Sequence, residues 1–301
     1  MLHFLPKTLL GVVSTLLVTL NTIFWTLLLY PIALLRLLIP IPLWQRGCYH
    51  VLIGIAETWI ACNDISFRLT QKTQWDIQGL EGLRREGRYL IIPSHQSWVD
   101  IFVIQHTFNR RIPFQKFFLK KQLIWFPLLG LAWWALDFPF MHRYTREQVA
   151  KSPKLKGKDL EVTRKACEKF KDRPVSILNF LEGSRSTPEK LKRQQSPYRH
   201  LLKPKAGGMA FVLGAMGDRL DSIIDMIIIY HKGKKRFWDL MSGQIPKITV
   251  RVKEIAIPPQ FVGRDYLEDP NFQETFQAWV RELWKKKDDE IHQLLQASST
   301  T

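Results

Sequence analysis

Cysteine is scarce in this chain of 301 residues, and the sequence shows no internal repeat. The three cysteines, Cys48, Cys62 and Cys167, are scattered and form no C-x-x-C pair. This excludes a disulfide-rich scaffold and favours a reducing compartment. No Cys/His cluster has the spacing of metal ligands, so the sequence predicts neither a metal site nor a resident cofactor. The 11 tryptophans and 18 phenylalanines exclude disorder for most of the chain.

Acidic residues are also few, 27 against 44 lysines and arginines, which leaves a formal net charge of +17. Residues 143–205 contain 18 basic and 7 acidic residues and so carry +11 of that charge. A charge of this size implies a negatively charged partner or substrate, or a solvated basic surface. A nucleic-acid binder would need a recognisable reading module and would leave the apolar N-terminal segment unexplained, so nucleic acid is not an expected partner.

Charge is absent altogether from residues 8–35, which include no Asp, Glu, Lys or Arg. As a helix this segment would be about 42 Å long, more than the ~30 Å hydrocarbon core of a bilayer. It is too long for a signal peptide, so we expect a membrane-embedded helical segment. Asn21, Thr22 and Pro31 leave two forms open: one tilted span ending near Tyr30, or a bent, re-entrant pair of helices in one leaflet. The basic residues that follow predict that the body faces the cytoplasm.

Strand and helix patterns alternate through the rest of the chain, which predicts an α/β fold with a single mixed sheet flanked by helices. Helices are expected at 44–62, 98–108, 123–136, 159–171, 207–216 and 271–296. Strands are expected at 65–69, 89–92, 175–181, 223–230 and 248–257, the last of them at a sheet edge, and loops at 144–158 and 186–205. We therefore divide the chain into an N-terminal membrane-embedded helical region, 1–62, and a body, 63–301.

The first candidate for chemistry is an H-x-x-x-x-D pattern formed by His95 and Asp100 directly after a predicted buried strand. Strand-to-helix turns are where α/β proteins place reactive groups. A neutral imidazole accepts a hydroxyl proton, and a carboxylate fixes its tautomer, so the pair is predicted to be a base with its orienting group. The spacing alone is weak, because His142 and Glu147 repeat it. Ser97 and Asp100 also suit a simple helix cap.

The second candidate, F-L-E-G-S-R, ends at Arg185 and also follows a predicted buried strand. Gly183 permits close backbone approach, and the guanidinium of Arg185 suits a phosphate. Alternatively, Glu182 and Arg185 form an ion pair in a turn.

Two further segments carry basic residues. F-M-H-R ends at Arg143, which is either a solvated charge or a second phosphate ligand. Lys120 and Lys121 begin a segment that leads to Pro127 and Gly130.

The order of these four segments resembles the glycerolipid acyltransferases of the 1-acyl-glycerol-3-phosphate acyltransferase type. His95 and Asp100 match the first family block, and Phe140 and Arg143 match the aromatic-x-x-Arg of the second. The third block, F-P-E-G-[ST]-R, is matched by Phe180, Glu182, Gly183, Ser184 and Arg185. The family's K-x-x-L-x-x-x-P-x-x-G run is matched, with one shift of register, by Lys120, Leu123, Pro127 and Gly130.

The chain departs from the family pattern in several places. Leu181 replaces the common proline of the third block, and Met141 and His142 are unusual in the second. The fourth block, usually a strand with a proline, has none at 225–229. These departures do not affect the predicted base, His95. They bear on the head group of the lipid that the family's enzymes acylate.

The resemblance implies a glycerol-3-phosphate acyltransferase-like catalytic domain over 63–301. Its reaction would move a fatty acyl group from an acyl thioester, acyl-CoA or acyl carrier protein, to the sn-2 hydroxyl of lysophosphatidic acid or another lysophospholipid. His95 and Asp100 would be catalytic. The residues implied in substrate binding are Lys120, Lys121, Arg143, Glu182, Gly183, Ser184 and Arg185. A thioester needs no enzyme-bound nucleophile, and no Ser or Cys elbow is visible.

The resemblance also bears on partners and location. The basic stretch would meet anionic lipid headgroups, the phosphates of coenzyme A or an acidic acyl carrier protein. Membrane lipids would be partners, and the enzyme would lie at the cell inner membrane with its catalytic domain facing the cytoplasm. The alternative is a membrane-tethered binding or scaffold protein with a degenerate site.

Overall fold

Two long helices, α1 (Lys7–Leu38) and α2 (Pro42–Thr70), open the computed structural model. The structure describes residues 2, 4–142, 151–152, 158–170, 173–233, 235–264, 266 and 269–299. The two helices form an antiparallel hairpin. Asn21 Nδ2 donates to Asn63 Oδ1 at 2.8 Å, and Trp59 Nε1 donates to Thr22 Oγ1 at 3.1 Å. The polar residues in the middle of the apolar segment are therefore contacts between the two helices.

The hairpin corrects two details of the sequence prediction. Pro31 lies inside α1 and does not end it. The helix predicted at 44–62 is confirmed but continues to Thr70, so the strand predicted at 65–69 is wrong. Of the three apolar residues in this alternation, only Phe67 packs against the sheet core, while Ile65 and Leu69 are exposed. A five-residue alternation is too short to distinguish a strand from the end of a helix.

Six strands form one mixed sheet in the order β1-β8-β7-β2-β6-β3. They are β1 (Gln74–Gln78), β2 (Arg88–Pro93), β3 (Gln115–Phe117), β6 (Val175–Leu178), β7 (Ser222–Tyr230) and β8 (Lys247–Ile255). The β7–β8 pair is antiparallel, and the other pairs of this sheet are parallel. A separate parallel pair is formed by β4 (Leu119–Lys120) and β5 (Phe140–Met141). The predicted α/β fold with a mixed sheet is confirmed.

The strand at 248–257 is not an edge strand, contrary to the sequence prediction, because β8 lies between β1 and β7. The outward-facing arginine that suggested an edge, Arg251, forms an ion pair within the sheet. Arg251 Nη2 lies 2.9 Å from Asp76 Oδ2 of β1. A polar residue that alternates along a strand therefore does not by itself indicate an open edge.

Helices cover both faces of the sheet. The described helices that follow the hairpin are α3 (Val99–Phe108), α4 (Leu129–Ala135), α5 (Lys158–Phe170), α6 (Pro188–Gln194), α7 (Gly207–Met216), α8 (Phe237–Met241) and α9 (Pro270–Ser299), with 3₁₀ turns at Lys121–Trp125, His231–Gly233 and Pro259–Phe261. Leu90 and Ile92 of β2 pack with α5, α7 and α9, whereas Tyr89 and Ile91 pack with α3 and α8. This alternation is that of a strand buried on both faces.

The remaining elements differ from the sequence prediction mainly at their ends. The helix predicted at 123–136 is split between a 3₁₀ turn and α4, where Leu128 has a φ of 62° after Pro127. The loop predicted at 186–205 contains α6, whose N-cap Thr187 accepts a hydrogen bond from the Lys190 amide at 3.3 Å. The loop predicted at 144–158 lies almost wholly outside the described residues. The domain division at residue 62 stays a prediction, and α2 runs through it.

Candidate active site

The candidate site lies at the carboxyl edge of three neighbouring parallel strands, β6, β2 and β7. His95 follows β2, Glu182 follows β6, and Tyr230 is the last residue of β7. Because carboxyl ends of parallel strands meet at one edge, residues far apart in sequence are brought together there.

His95 and Asp100 form the centre of this site. His95 Nδ1 lies 2.8 Å from Asp100 Oδ2, and the side chain of Asp100 is fully buried while that of His95 is 16% exposed. The same carboxylate oxygen accepts the backbone N–H of Gln96 at 2.6 Å and of Ser97 at 2.8 Å. Asp100 therefore holds the backbone just before α3 and the ring of His95, and its catalytic role stays a prediction.

A tyrosine completes the set of donors around Asp100. Tyr230 Oη donates to Asp100 Oδ1 at 2.6 Å, and burial, with the nearby carboxylate, holds the pKa of Tyr230 well above its usual range. Sequence reasoning missed Tyr230. The feature that could have indicated it is its position as the last residue of a predicted buried strand. Because a carboxylate only accepts hydrogen bonds, Nδ1 of His95 is the donor to Asp100, and in a neutral imidazole Nε2 is then the acceptor.

The ring of His95 is also held by an aromatic neighbour. Phe180 stacks on it with ring centroids 3.9 Å apart and an interplanar angle of 25°. Phe180 opens the F-L-E-G-S-R segment, so this contact joins the two best-matched blocks. The stacking restricts rotation of the imidazole.

Glu182 holds the backbone of the turn between β2 and α3, which carries His95. It is 1% exposed. Its Oε1 accepts the N–H of His95 at 2.9 Å, and its Oε2 accepts the N–H of Leu202 at 3.0 Å. Burial raises the pKa of this carboxyl to about 7. Both oxygens are used by backbone amides, and no ion pair joins Glu182 to Arg185 among the described residues.

The rest of the segment lies at the mouth of the site. Gly183 has a φ of +65°, a conformation that favours glycine, and Ser184 is half-buried. Arg185 is exposed, and its guanidinium lies 5.2 Å from the centroid of the Trp98 ring at the start of α3. The next amide, that of Ser186, donates to the His95 carbonyl at 2.7 Å. These contacts place Arg185 beside the turn that carries His95.

The other predicted binding residues are not brought to His95 by any contact in the described part of the chain. Lys120 and Lys121 are exposed at the end of β4, beyond the same carboxyl edge of the sheet. Arg143 lies outside the described residues.

Another cation does reach the turn. Lys235 Nζ donates to Gln96 Oε1 at 3.1 Å. Burial lowers the pKa of Lys235, and the negative charges of Asp100 and Glu182 oppose that effect. Sequence reasoning missed this lysine, which lies in a basic loop after β7. Among the described residues, no group of three or more His, Cys, Asp or Glu side chains is arranged to hold a metal ion.

The comparison with known sequences identifies the class of protein. A sequence model of the Acyltransferase family matches residues 74–231, more than half of the chain. The chain therefore belongs to the Acyltransferase family, and the resemblance that the spaced motifs indicated is confirmed at this level.

Individual relatives are more distant. An uncharacterized acyltransferase of Saccharomyces cerevisiae is 25% identical over 240 residues, which cover 68% of this chain and 58% of the relative. The 2-acyl-1-lysophosphatidylinositol acyltransferase of the same yeast is 24% identical over 240 residues, 65% of this chain and 59% of the relative. The chain thus spans about three-fifths of the length of these curated relatives.

A solved structure confirms the fold. The crystal structure of the 1-acyl-sn-glycerophosphate acyltransferase PlsC from Thermotoga maritima is similar with a TM-score of 0.58. The two chains are 15% identical, and the match covers 95% of this chain and 96% of that one. At this identity the likeness is one of fold, and it extends over the N-terminal hairpin.

Proposed function

We propose that this protein transfers a fatty acyl group from an acyl thioester to the free sn-2 hydroxyl of a lysophospholipid. The observation that carries the proposal is the imidazole of His95, whose Nδ1 is held by Asp100 and whose side chain is 16% exposed. A base of this kind can take the proton of a hydroxyl group directly. The acceptor oxygen itself would attack the donor.

The proposed chemistry uses these groups in one cycle. Nε2 of His95 takes the hydroxyl proton as the acceptor oxygen attacks the thioester carbonyl, and Asp100 stabilises the imidazolium. The tetrahedral intermediate collapses, its C–S bond breaks, and the leaving sulfur takes the proton from His95. The imidazole is then neutral again, and the products are an ester and a free thiol.

A phosphate on the acceptor would lie at the mouth of the site. Arg185, whose guanidinium lies 5.2 Å from the centroid of the Trp98 ring, is beside the turn that carries His95. Arg143, Lys120 and Lys121 remain predicted contributors, since a phosphomonoester is a dianion near neutral pH and suits more than one cation. The names of two relatives support a phosphorylated acceptor, because one acts on a lysophosphatidylinositol and the other on a 1-acyl-sn-glycerophosphate.

The test of the function is direct. Purified protein is incubated with a labelled acyl thioester, either acyl-CoA or acyl carrier protein, and a panel of lysophospholipids. We expect label at the sn-2 position of at least one lipid, and the panel identifies the head group and the donor. Folded protein that transfers label to no lysophospholipid from either donor would support the rival scaffold function.

Replacing Arg185 tests the phosphate contact. Arg185→Lys keeps the charge but loses the fork, so it should raise the acceptor KM and leave the thioester KM nearly unchanged. Arg185→Ala should cost more, about 2–3 kcal/mol in kcat/KM for the acceptor. The matched control is Arg264→Ala, which removes a guanidinium 4.5 Å from the Phe272 ring centroid, away from the site. A stable Arg185→Ala protein with an unchanged acceptor KM would show that Arg185 does not bind the acceptor.

We propose that the hairpin embeds in one leaflet of the inner membrane, with the catalytic domain on the cytoplasmic side. Among the described helices, α1 alone is long and apolar enough to cross a membrane. Both of its ends contact the catalytic domain, however. Trp238 packs on Gly11, and Arg36 Nη2 lies 2.9 Å from Asp137 Oδ2. A tilted span would pull that domain into the bilayer, so the pair of helices in one leaflet is favoured of the two forms that the sequence leaves open.

The outward side of α1 provides the test of this attachment. Leu16, Leu20, Phe24 and Leu27 are more than half exposed there. The double change Leu20→Glu and Leu27→Glu should lower binding to anionic vesicles at least about tenfold in a flotation assay, because two apolar contacts are lost. The control adds the same charge to the polar surface of α9, by Thr275→Glu and Gln293→Glu. Equal binding by both variants would mean that another surface anchors the protein.

A further inference from the structure

One side of helix α9 contacts three segments beside the candidate site. They are the end of β2, strand β7 and loop 199–202. Trp284, Lys287 and Asp288 have the spacing that places side chains on one side of a helix. The Acyltransferase family match ends at residue 231, so α9 lies outside it. None of the three residues was a candidate in the sequence.

Lys287 reaches the end of β2, the strand that comes directly before the turn carrying His95. Its side chain is fully buried, and Nζ donates to the carbonyl of Ile92 at 2.6 Å and lies 2.5 Å from Asp225 Oδ1. Ile92 of β2 and Asp225 of β7 are register partners in the sheet. A buried ammonium is costly unless it is paired, and an apolar pair of similar size often serves stability as well. Stability alone therefore does not explain the choice of a lysine at this position. The hydrogen bond from Lys287 to the Ile92 carbonyl gives another reason, because it holds the end of β2.

Trp284 reaches His95 through a series of hydrogen bonds. Its Nε1 donates to the carbonyl of Leu202 at 3.0 Å. The N–H of Leu202 donates to Glu182, which also accepts the N–H of His95. The backbone of the base is therefore connected to α9 through one carboxylate.

Asp288 holds the same loop from the next turn of the helix. Its Oδ2 accepts the N–H of Arg199 and its Oδ1 the N–H of His200, both at 2.8 Å. The carbonyl of His200 accepts a hydrogen bond from Ser186 Oγ at 3.3 Å, and the Ser186 amide donates to His95. Loop 199–202 thus lies between α9 and the segment that includes Glu182 and Arg185.

We propose that Trp284, Lys287 and Asp288 are positioning residues for the transfer reaction. They fix the end of β2 and the loop behind Glu182, so that Nε2 of His95 meets the acceptor hydroxyl in a productive geometry. None of them touches the reacting atoms. The kinetic part of this inference rests on the proposed function, whereas the structural part does not.

Lys287→Met is the first test. We expect kcat to fall by about 10²-fold, because a shift of about 1 Å in a catalytic group has an effect of this size. The acceptor KM should change little, since Arg185 remains in place. The matched control is Lys286→Met on the neighbouring position, whose side chain is 72% exposed, and it should keep the wild-type kcat. A wild-type kcat in folded Lys287→Met would overturn the role of this lysine.

Lys287→Met also leaves Asp225 without its cation, so loss of activity could follow from simple instability. The double variant Lys287→Met with Asp225→Leu replaces the ion pair by an apolar pair and should recover the wild-type Tm. We expect its kcat to stay low and deuterium exchange at the amides of Gln96 and Ser97 to rise. Recovery of kcat together with Tm would show that Lys287 contributes stability alone.

Asp288→Asn provides a variant with a smaller perturbation. One of its two backbone partners loses its acceptor, and we expect kcat to fall about tenfold with faster exchange at 199–202. Unchanged kcat and exchange would remove Asp288 from the proposal. If the wild-type protein transfers no acyl group, the proposed function fails, but deuterium exchange still decides whether α9 holds the turn.

Discussion

His95→Ala is expected to lower kcat by about 10²–10⁴-fold, the usual contribution of a general base, while the protein still folds. The imidazole is partly exposed at the carboxyl edge of the sheet, so its removal leaves no large cavity in the core. Stopped assays with a fixed thioester and varied lysophospholipid would give kcat and both KM values. The loss should be confined to kcat, because His95 is not expected to bind either substrate in the ground state.

The chain offers a closely matched control for this change. His106 Nδ1 lies 2.9 Å from Asp64 Oδ1, its side chain is 18% exposed, and its ring stacks on Trp75 with centroids 4.0 Å apart. The His95 ring has the same three features, with Phe180 as its stacking partner. His106→Ala should therefore change stability to a similar extent and leave kcat near the wild-type value. Equal losses of kcat in the two variants would mean that His95 is structural.

Glu182→Gln is expected to remove a loss of stability that the wild-type protein undergoes as pH rises to 8, and to make the protein less active. The carboxyl has a pKa of about 7 in the folded protein, against 4.5 for an ordinary glutamate, because it is buried. The folded state thus binds its proton more tightly than the unfolded state, and stability falls as pH rises between these two values. The loss by pH 8 is on the order of 3 kcal/mol, which the neutral amide would avoid.

Activity should fall in the same variant. A glutamine side chain has one carbonyl oxygen, so the amide of either His95 or Leu202 loses its acceptor. We expect kcat to fall on the order of tenfold, as for the loss of one hydrogen bond to a charged group. Glu282→Gln, at an exposed position on α9, is the control and should leave both properties unchanged.

Melting curves from pH 5 to 8 decide the thermodynamic part of this prediction. The Tm of the wild-type protein should fall relative to that of Glu182→Gln as pH rises. Parallel Tm curves for the two proteins would contradict a buried glutamate with a raised pKa. A Glu182→Gln protein with full kcat would contradict its role in holding the turn.

The residues that sequence reasoning located best are those whose signal is local. His95 and Asp100 are five positions apart on one turn, and the F-L-E-G-S-R segment directly follows a buried strand. Strong local patterns also located β2, α3, α7 and β7 within a residue or two. Such features depend on neighbours along the chain, which a sequence displays directly.

The features that sequence reasoning missed depend on which strands and helices become neighbours. Tyr230 reaches Asp100 because β7 lies beside β2, and no local pattern states that order. Glu182 looked like the partner of Arg185, its neighbour in sequence, but its carboxylate binds the backbone of a loop twenty residues away. The alternation at 65–69 reflected one exposed side of a helix rather than a strand. In each case the local sequence fitted more than one interpretation. Only the contacts between distant segments of the folded chain distinguish them.

The order of the strands has a consequence for where this protein can be divided. Residues 74–231, the part shared with the family, include β1 and β7, but these two strands do not touch each other. The strand that joins them, β8, is made from residues 247–255. Within the shared segment alone, β1 would have no hydrogen-bonded neighbour in the sheet, and β7 would expose a nine-residue edge. We therefore expect a fragment limited to residues 74–231 to leave both strands unpaired on that side and to fold poorly by itself.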